Sequence, residues 1–197
     1  MPRLLLWVPI LLAPSAAFAH SPMPGIGYFY SGILHPLLVP SHLLALVALG
    51  LLIGQRGLQA MRLAYPCFLV ALLVGLAYAG YAPESISIAE TLLLVAAGGC
   101  GLLVASNLAL PSALLAMLPV VAAFVIGADS GVTDLERRET FGAMLGAGTG
   151  TCIVLIAVAA VAELPRRDWQ KILVRVFGSW CAASAALVLA LALRGLT

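Results

Sequence analysis

The chain has 197 residues, of which 63% are hydrophobic and only 9% are charged. A soluble globular protein is typically about half apolar and about a quarter charged, so this composition indicates an integral membrane protein with a single domain. The net charge of +2 comes from short loops, and no basic stretch with interleaved aromatic residues appears, which argues against a nucleic-acid partner.

The first 19 residues, MPRLLLWVPILLAPSAAFA, have the layout of a cleavable secretory signal peptide. Arg3 gives a basic start, residues 4–13 form an apolar core too short to span a bilayer, and small residues end the segment. Cleavage would leave His20 as the mature N-terminus outside the cytoplasm, where its amine and imidazole are suitable transition-metal ligands. The alternative is that His20 lies on a mobile tail without such a role.

Six apolar segments follow, each close to the roughly 20 residues that a bilayer requires. They predict an all-α fold, a polytopic membrane bundle of about six transmembrane helices over residues 20–197. Glycine-rich stretches from Gly98 and Gly142 favour close helix packing, and the absence of a following lysine disfavours a phosphate-binding loop at GAGTG. The predicted spans lie near residues 27–54, 63–81, 86–105, 110–126, 140–162 and 172–193.

The first span is apolar, yet it contains His35 and His42 with Pro36 and Pro40 between them. Each proline removes a backbone donor, so we expect the helix to break at Pro36 and Pro40. In an unbroken helix the two imidazoles would stand about 10 Å apart along the axis, too far to share one ion. A break allows them to converge beside freed carbonyls, which is a suitable setting for an ion.

Acidic residues near the spans are further candidate metal ligands. Glu90, one turn into the third span, qualifies because ionisable groups at membrane depth are costly and usually serve transport or a relay. Hydrogen bonding between helices is the alternative for Glu90 and for the two histidines. Glu84 is a second carboxylate candidate, with the alternative of capping the helix that follows. Asp129, at the end of the fourth span, offers oxygen ligands, and Asp134 follows it near the mouth.

The sequence does not favour a thiolate metal site or an enzyme active site. The four cysteines lie in apolar runs without CxxC spacing, which favours packing over a thiolate metal site. No HExxH or GxSxG motif is present, so we do not expect an enzyme, and no tightly bound cofactor is predicted.

Basic residues predict the orientation, because lysine and arginine concentrate in cytoplasmic loops. The loops predicted at the other end of the spans from the basic loops contain Glu84 and the acid-rich segment GADSGVTDLERRE. Both mature termini are therefore expected outside, in agreement with the signal peptide, and the compartment is the bacterial inner membrane. The basic residues assigned to the inside are Arg56, Arg62, Arg166, Arg167, Lys171 and Arg175.

Two stretches resemble the HupE/UreJ family of membrane proteins, which are associated with hydrogenase and urease maturation and regarded as nickel permeases. The first is the His35-Pro36 dipeptide, with His42 six residues after the proline and the run LLALVALGLL behind it. The second is RVFGSWCAA, residues 175–183. The resemblance implies that His35 and His42 are metal ligands, that Glu84 matches an acidic position of the family, and that Ni²⁺ or Co²⁺ is the transported ion.

The sequence departs from the family pattern at two points. Ser41 stands where the family usually has the Asp of its Asp-His pair. Residues 126–131 read IGADSG where the family typically carries HGHAHG, so Asp129 and Ser130 supply oxygen ligands in place of imidazoles, and oxygen holds nickel less firmly.

Two functions from different classes follow from these observations. The first is a secondary permease for a divalent transition metal, nickel or cobalt, that supplies metalloenzyme maturation and uses histidine protonation to couple release to the proton gradient. The second is a non-transporting accessory protein that docks or stabilises a partner complex, which the two departures favour.

Overall fold

The computed structural model describes residues 26–82, 88–133 and 135–194, and the predicted signal peptide lies outside these ranges. All regular structure in the described residues is helical. Five helices are long and apolar enough to cross a membrane, and α1 with α2 forms a bent pair that supplies a sixth span. This confirms the predicted all-α bundle. The helices are α1 (Tyr28–Leu38), α2 (Pro40–Gln55), α3 (Leu58–Tyr81), α4 (Ala89–Ser106), α5 (Ser112–Asp129), α6 (Arg137–Glu163) and α7 (Asp168–Arg194).

Helix α2 lies at the centre of the bundle. Most of its 16 residues are buried, and it packs mainly against α4 and α6. Around it the other helices form closely packed pairs: α1 lies along α6, α4 along α7, and α3 along α5. Groups on α2 are therefore shielded from lipid by protein on most sides.

The predicted break in the first span is confirmed, and it falls at Val39 and Pro40. Helices α1 and α2 meet there at 72°. Val39 has φ −90° and ψ 110°, the extended conformation that a residue preceding proline prefers, and Pro40 then starts α2. Pro36 lies inside α1, near its end, so it removes one helical hydrogen bond without ending the helix.

Glycines on α6 hold α1 close to it, as the small-residue pattern predicted. A Cβ at Gly150 would clash with the carbonyl oxygen of Ile33, and one at Gly32 would clash with the carbonyl oxygen of Ala143. In lipid, helices associate through the van der Waals contacts that such a close approach of backbones allows, because there is no hydrophobic driving force between them. Gly150 lies near the middle of α6, so the close contact with α1 reaches into the interior of the bundle.

Neighbouring side chains cap the C-terminal end of α4. Gln55 Nε2 donates to the Val104 carbonyl at 3.2 Å, and Arg175 Nε donates to the Ala105 carbonyl at 2.8 Å. The last carbonyls of a helix have no partner within it, so these bonds satisfy them. They also place the end of α2 and the start of α7 at one end of the bundle. The helix break lies at the other end of α2.

Candidate functional site

The break brings the two histidine rings of the first span together. The centroids of the His35 and His42 rings are 5.3 Å apart, with the rings nearly perpendicular at 77°. An unbroken helix would hold them about 10 Å apart along its axis. His42 is fully buried, one turn into the central helix, and His35 lies one turn before the break.

Asp129 joins this pair from another helix. Its Oδ2 lies 3.0 Å from His42 Nε2, although 87 positions separate the two residues in the sequence. The Asp129 side chain is only 12% exposed, at the last residue of α5, and the hydroxyl of Ser130 donates back to the Ile126 carbonyl to close that helix end. An ionised carboxylate can only accept a hydrogen bond, so with Asp129 in that form the shared proton belongs to Nε2 of His42.

The second ring nitrogen of His42, Nδ1, is buried and has no hydrogen-bond partner in the described part of the chain. With Nε2 protonated, the Nδ1 of a neutral imidazole carries a lone pair. A histidine that donates one N–H to a carboxylate and turns the other nitrogen inward has the arrangement of a metal ligand with its orienting carboxylate. His42 Nδ1 is therefore the best candidate for a metal-binding atom.

The site contains fewer protein ligands than a resident metal centre requires. Within residues 26–82, 88–133 and 135–194, no group of three or more His, Cys, Asp or Glu side chains is placed to hold one ion. All four cysteines are free, with Cys100 and Cys181 buried as the packing interpretation expects. Two imidazoles alone do not complete the coordination shell of a metal ion, so an ion bound here would keep ligands that are not histidine side chains. Such an arrangement suits an ion that binds briefly.

Thr151 is a polar residue that the sequence interpretation missed. It is 1% exposed on α6, and its hydroxyl oxygen has no hydrogen-bond partner in the described ranges. Its neighbour Gly150 contacts Ile33, two residues before His35, so Thr151 follows the part of α6 that packs against α1. The sequence did contain a pattern that points to Thr151: it lies among the small residues of α6, and the small-residue face of a membrane helix faces protein rather than lipid.

The remaining predicted ligands are not gathered at the histidine pair. Glu90 lies in the first turn of α4, at the same end of the bundle as the break, and it is exposed. His20, Glu84 and Asp134 lie outside the described residues, and their roles as ligands stay predictions. Of the six predicted ligand positions, the structure brings together His35, His42 and Asp129.

The chain was compared with known families and proteins. The family described as HupE / UreJ protein matches residues 8–189, nearly the whole chain. Neither the comparison with curated proteins nor that with solved structures gives a match. The matched range covers the broken first span, Asp129 and most of α7, which confirms the suspected resemblance and supports a role in membrane accessory function or metal transport. The chain belongs to the HupE/UreJ family.

Proposed function

We propose that the protein is a secondary permease for a divalent transition-metal ion, nickel or cobalt, that supplies metalloenzyme maturation. The observation that carries this proposal is the contact between half-buried His35 and fully buried His42 at a helix break, with Asp129 bonded to the ring of His42. Ionisable groups inside a membrane bundle are costly, and a cluster of them at irregular backbone is typical of an ion pathway.

The ring geometry supports shared coordination by the two histidines. Two imidazoles bound to one ion at metal–nitrogen distances of about 2.1 Å hold their ring centroids roughly 5 Å apart. The observed separation of 5.3 Å is close to that value. His42 would bind through Nδ1, and a rotation of the His35 ring would complete the pair. Asp129 is then a positioning residue, because it fixes the tautomer and orientation of His42 without needing to touch the ion.

Oxygen atoms complete the proposed pathway. Pro40 has no N–H, so the carbonyl of Pro36 loses the partner that a continuous helix would provide. The buried hydroxyl of Thr151, on the part of α6 that packs against α1, is a second candidate oxygen. Such neutral oxygen groups hold nickel more weakly than imidazole does, which favours passage over storage.

Protonation offers a means of release. When an imidazole takes a second proton, it loses the lone pair that binds metal, so proton arrival and ion departure are coupled at the same nitrogen. A proton gradient across the membrane would then drive ions in one direction. Six of the basic residues, Arg56, Arg62, Arg166, Arg167, Lys171 and Arg175, lie at the opposite end of α2 from the break, and this excess orients the histidine pair toward the outside under the positive-inside rule. We therefore place both mature termini outside the bacterial inner membrane.

The accessory role remains the second candidate, and one observation favours it. The described residues contain no group of three His, Cys, Asp or Glu side chains placed to hold one ion, and IGADSG replaces the family's histidine-rich motif. A bundle that only docks a maturation complex would retain the fold without moving an ion. The two candidates differ in whether the histidines are needed for metal accumulation.

The test is nickel accumulation in cells that lack their own nickel importers. Cells expressing the wild-type chain should accumulate nickel, and His35→Ala and His42→Ala should each abolish this uptake. Asp168→Asn, which changes a side chain that is 96% exposed at the other end of the bundle, is the control for membrane insertion and assay background. Uptake that is unchanged in the double histidine variant would remove the permease proposal, and the accessory role would then stand.

A further inference from the structure

A second polar site lies at the end of the bundle opposite the histidines. The end of α2, the turn between α6 and α7 and the start of α7 enclose an open cleft of about 530 Å³. Four cationic and two acidic side chains line it, which gives the cleft a net charge of +2. Its size and charge fit a small anionic group.

Only some of the positively charged side chains of the cleft have a carboxylate beside them. Arg166 lies 3.3 Å from Glu163 and Lys171 lies 3.4 Å from Asp168, so each of these cations has a carboxylate beside it. Arg56 and Arg175 form no ion pair within the described ranges; those two pairs and His42–Asp129 are the ion pairs found there. The excess positive charge of the cleft therefore belongs to Arg56 and Arg175.

Both arginines are held in place by backbone. Arg175 Nε donates to the Ala105 carbonyl at 2.8 Å, and Arg56 donates through Nη2 to the carbonyl of Leu108. The negative end of the α4 dipole attracts both guanidinium groups. Each guanidinium has five N–H donors, and one bond to a carbonyl leaves the others available to an anion. Immobilised donors lose little entropy when a ligand binds.

The residues around the cleft are of the kinds that surround a bound lipid headgroup at the membrane surface. Trp169, 55% exposed, begins α7 beside the cleft, and tryptophan in this position is typical of the membrane–water interface. Ile172 lines the cleft and is 55% exposed, and Leu108 is 59% exposed next to the Arg56 contact. A molecule bound here meets charge at one end and apolar surface at the other, which a soluble anion does not need.

We propose that this cleft binds the phosphate group of an anionic phospholipid, with Arg56 and Arg175 as its ligands and Arg166 and Lys171 at the rim. The exposed apolar residues beside the cleft would contact the acyl chains. Basic pockets between membrane helices bind anionic headgroups by this combination. The proposal does not depend on metal transport or on the orientation of the chain.

Native mass spectrometry of the full chain in mild detergent tests the proposal. Titration with phosphatidylglycerol should give one retained lipid at concentrations where phosphatidylcholine gives none. Inorganic phosphate at matched concentration should compete poorly, because it lacks the acyl chains. Equal retention of the two lipids, or displacement of the lipid by phosphate alone, would overturn the assignment to an anionic phospholipid.

Two variants locate the site. Arg175→Gln removes one unpaired charge, and Arg166→Gln with Lys171→Gln removes two rim charges without touching the cap of α4. At about 1 kcal/mol for each basic residue near the headgroup, the double variant should bind phosphatidylglycerol about thirtyfold more weakly. Arg137→Gln with Arg138→Gln, at the other end of α6, is the matched control and should bind as the wild type does. Affinity in the double variant equal to that of the control would overturn the proposal, even if Arg175→Gln fails to fold.

Discussion

His42 and Asp129 connect the central helix of the bundle to an outer pair of helices. Nε2 of His42 on α2 lies 3.0 Å from Oδ2 of Asp129 at the end of α5, and α5 packs mainly along α3. The other two ion pairs in the described residues join positions three apart near the turn between α6 and α7. The bond at His42 is therefore a polar link between packing units, and it sits where an ion is proposed to bind.

Asp129→Asn tests whether Asp129 positions His42. The amide oxygen of asparagine can still accept the Nε2 proton, so the fold should be retained while the negative charge beside His42 is lost. Loss of such an orienting carboxylate typically weakens metal binding by about tenfold to a hundredfold. Isothermal titration with Ni²⁺ measures this, and Asp168→Asn is the exposed control. A variant that binds nickel as the wild type does would contradict the positioning role.

His42→Ala should reduce stability as well as uptake. The substitution leaves the Asp129 carboxylate largely buried without its partner, and an unsatisfied buried group of this kind costs about 1–3 kcal/mol, more when it is charged. Thermal unfolding in detergent should show a lower midpoint for His42→Ala. The double variant His42→Ala with Asp129→Ala should recover part of the loss, and a midpoint that falls further instead would argue against the pairing.

Gly150→Ala tests the link between helix packing and the histidine pair. The added methyl group would clash with the carbonyl of Ile33, so α1 must move away from α6 and carry His35 with it. We expect a loss of about 1–3 kcal/mol in stability together with reduced nickel uptake. Gly142→Ala on the same helix is the control, because no atom apart from its own stretch of helix lies within 4 Å of its added Cβ. Equal behaviour of the two variants would show that the close approach of α1 is not needed.

Thr151→Val separates stability from function at the break. Valine matches threonine in shape and removes a buried hydroxyl that has no partner in the described part of the chain, so stability should rise by on the order of 1 kcal/mol. If the hydroxyl oxygen contributes to the ion pathway, uptake should fall at the same time. Thr149→Val provides the comparison, because Thr149 is exposed and its hydroxyl bonds the Leu145 carbonyl at 2.7 Å. Unchanged uptake in Thr151→Val would exclude Thr151 from the pathway.

Much of the fold follows from local chemistry that is visible in the sequence. Span length, apolar composition and the constraint on the residue before Pro40 predict the six spans and the break. The glycines of α6 predict a close helix contact but not its partner, because small residues specify distance rather than identity. The convergence of His35 and His42 could be anticipated as a consequence of the break, whereas the degree of bending depends on how α1 packs along α6.

The contact between His42 and Asp129 could not be predicted from the sequence. Asp129 stood out as an acid near the end of a span, but its partner lies 87 positions away, and only the packing of α5 against α2 brings them together. The position of Glu90 could not be predicted from the sequence either. Its helix is apolar on nearly every side, so the sequence did not indicate which face meets protein, and the structure places the side chain in an exposed position. Tertiary packing decides both cases.

Metal analysis of the purified protein tests the central claim most directly. At equilibrium with free Ni²⁺ in mild detergent, as in equilibrium dialysis, the wild-type chain should bind about one nickel per chain, as a single specific site requires. The variant with both His35→Ala and His42→Ala should hold close to none, while Asp168→Asn should match the wild type. Equal nickel content in the wild type and the double histidine variant would contradict the claim that these two imidazoles bind the ion.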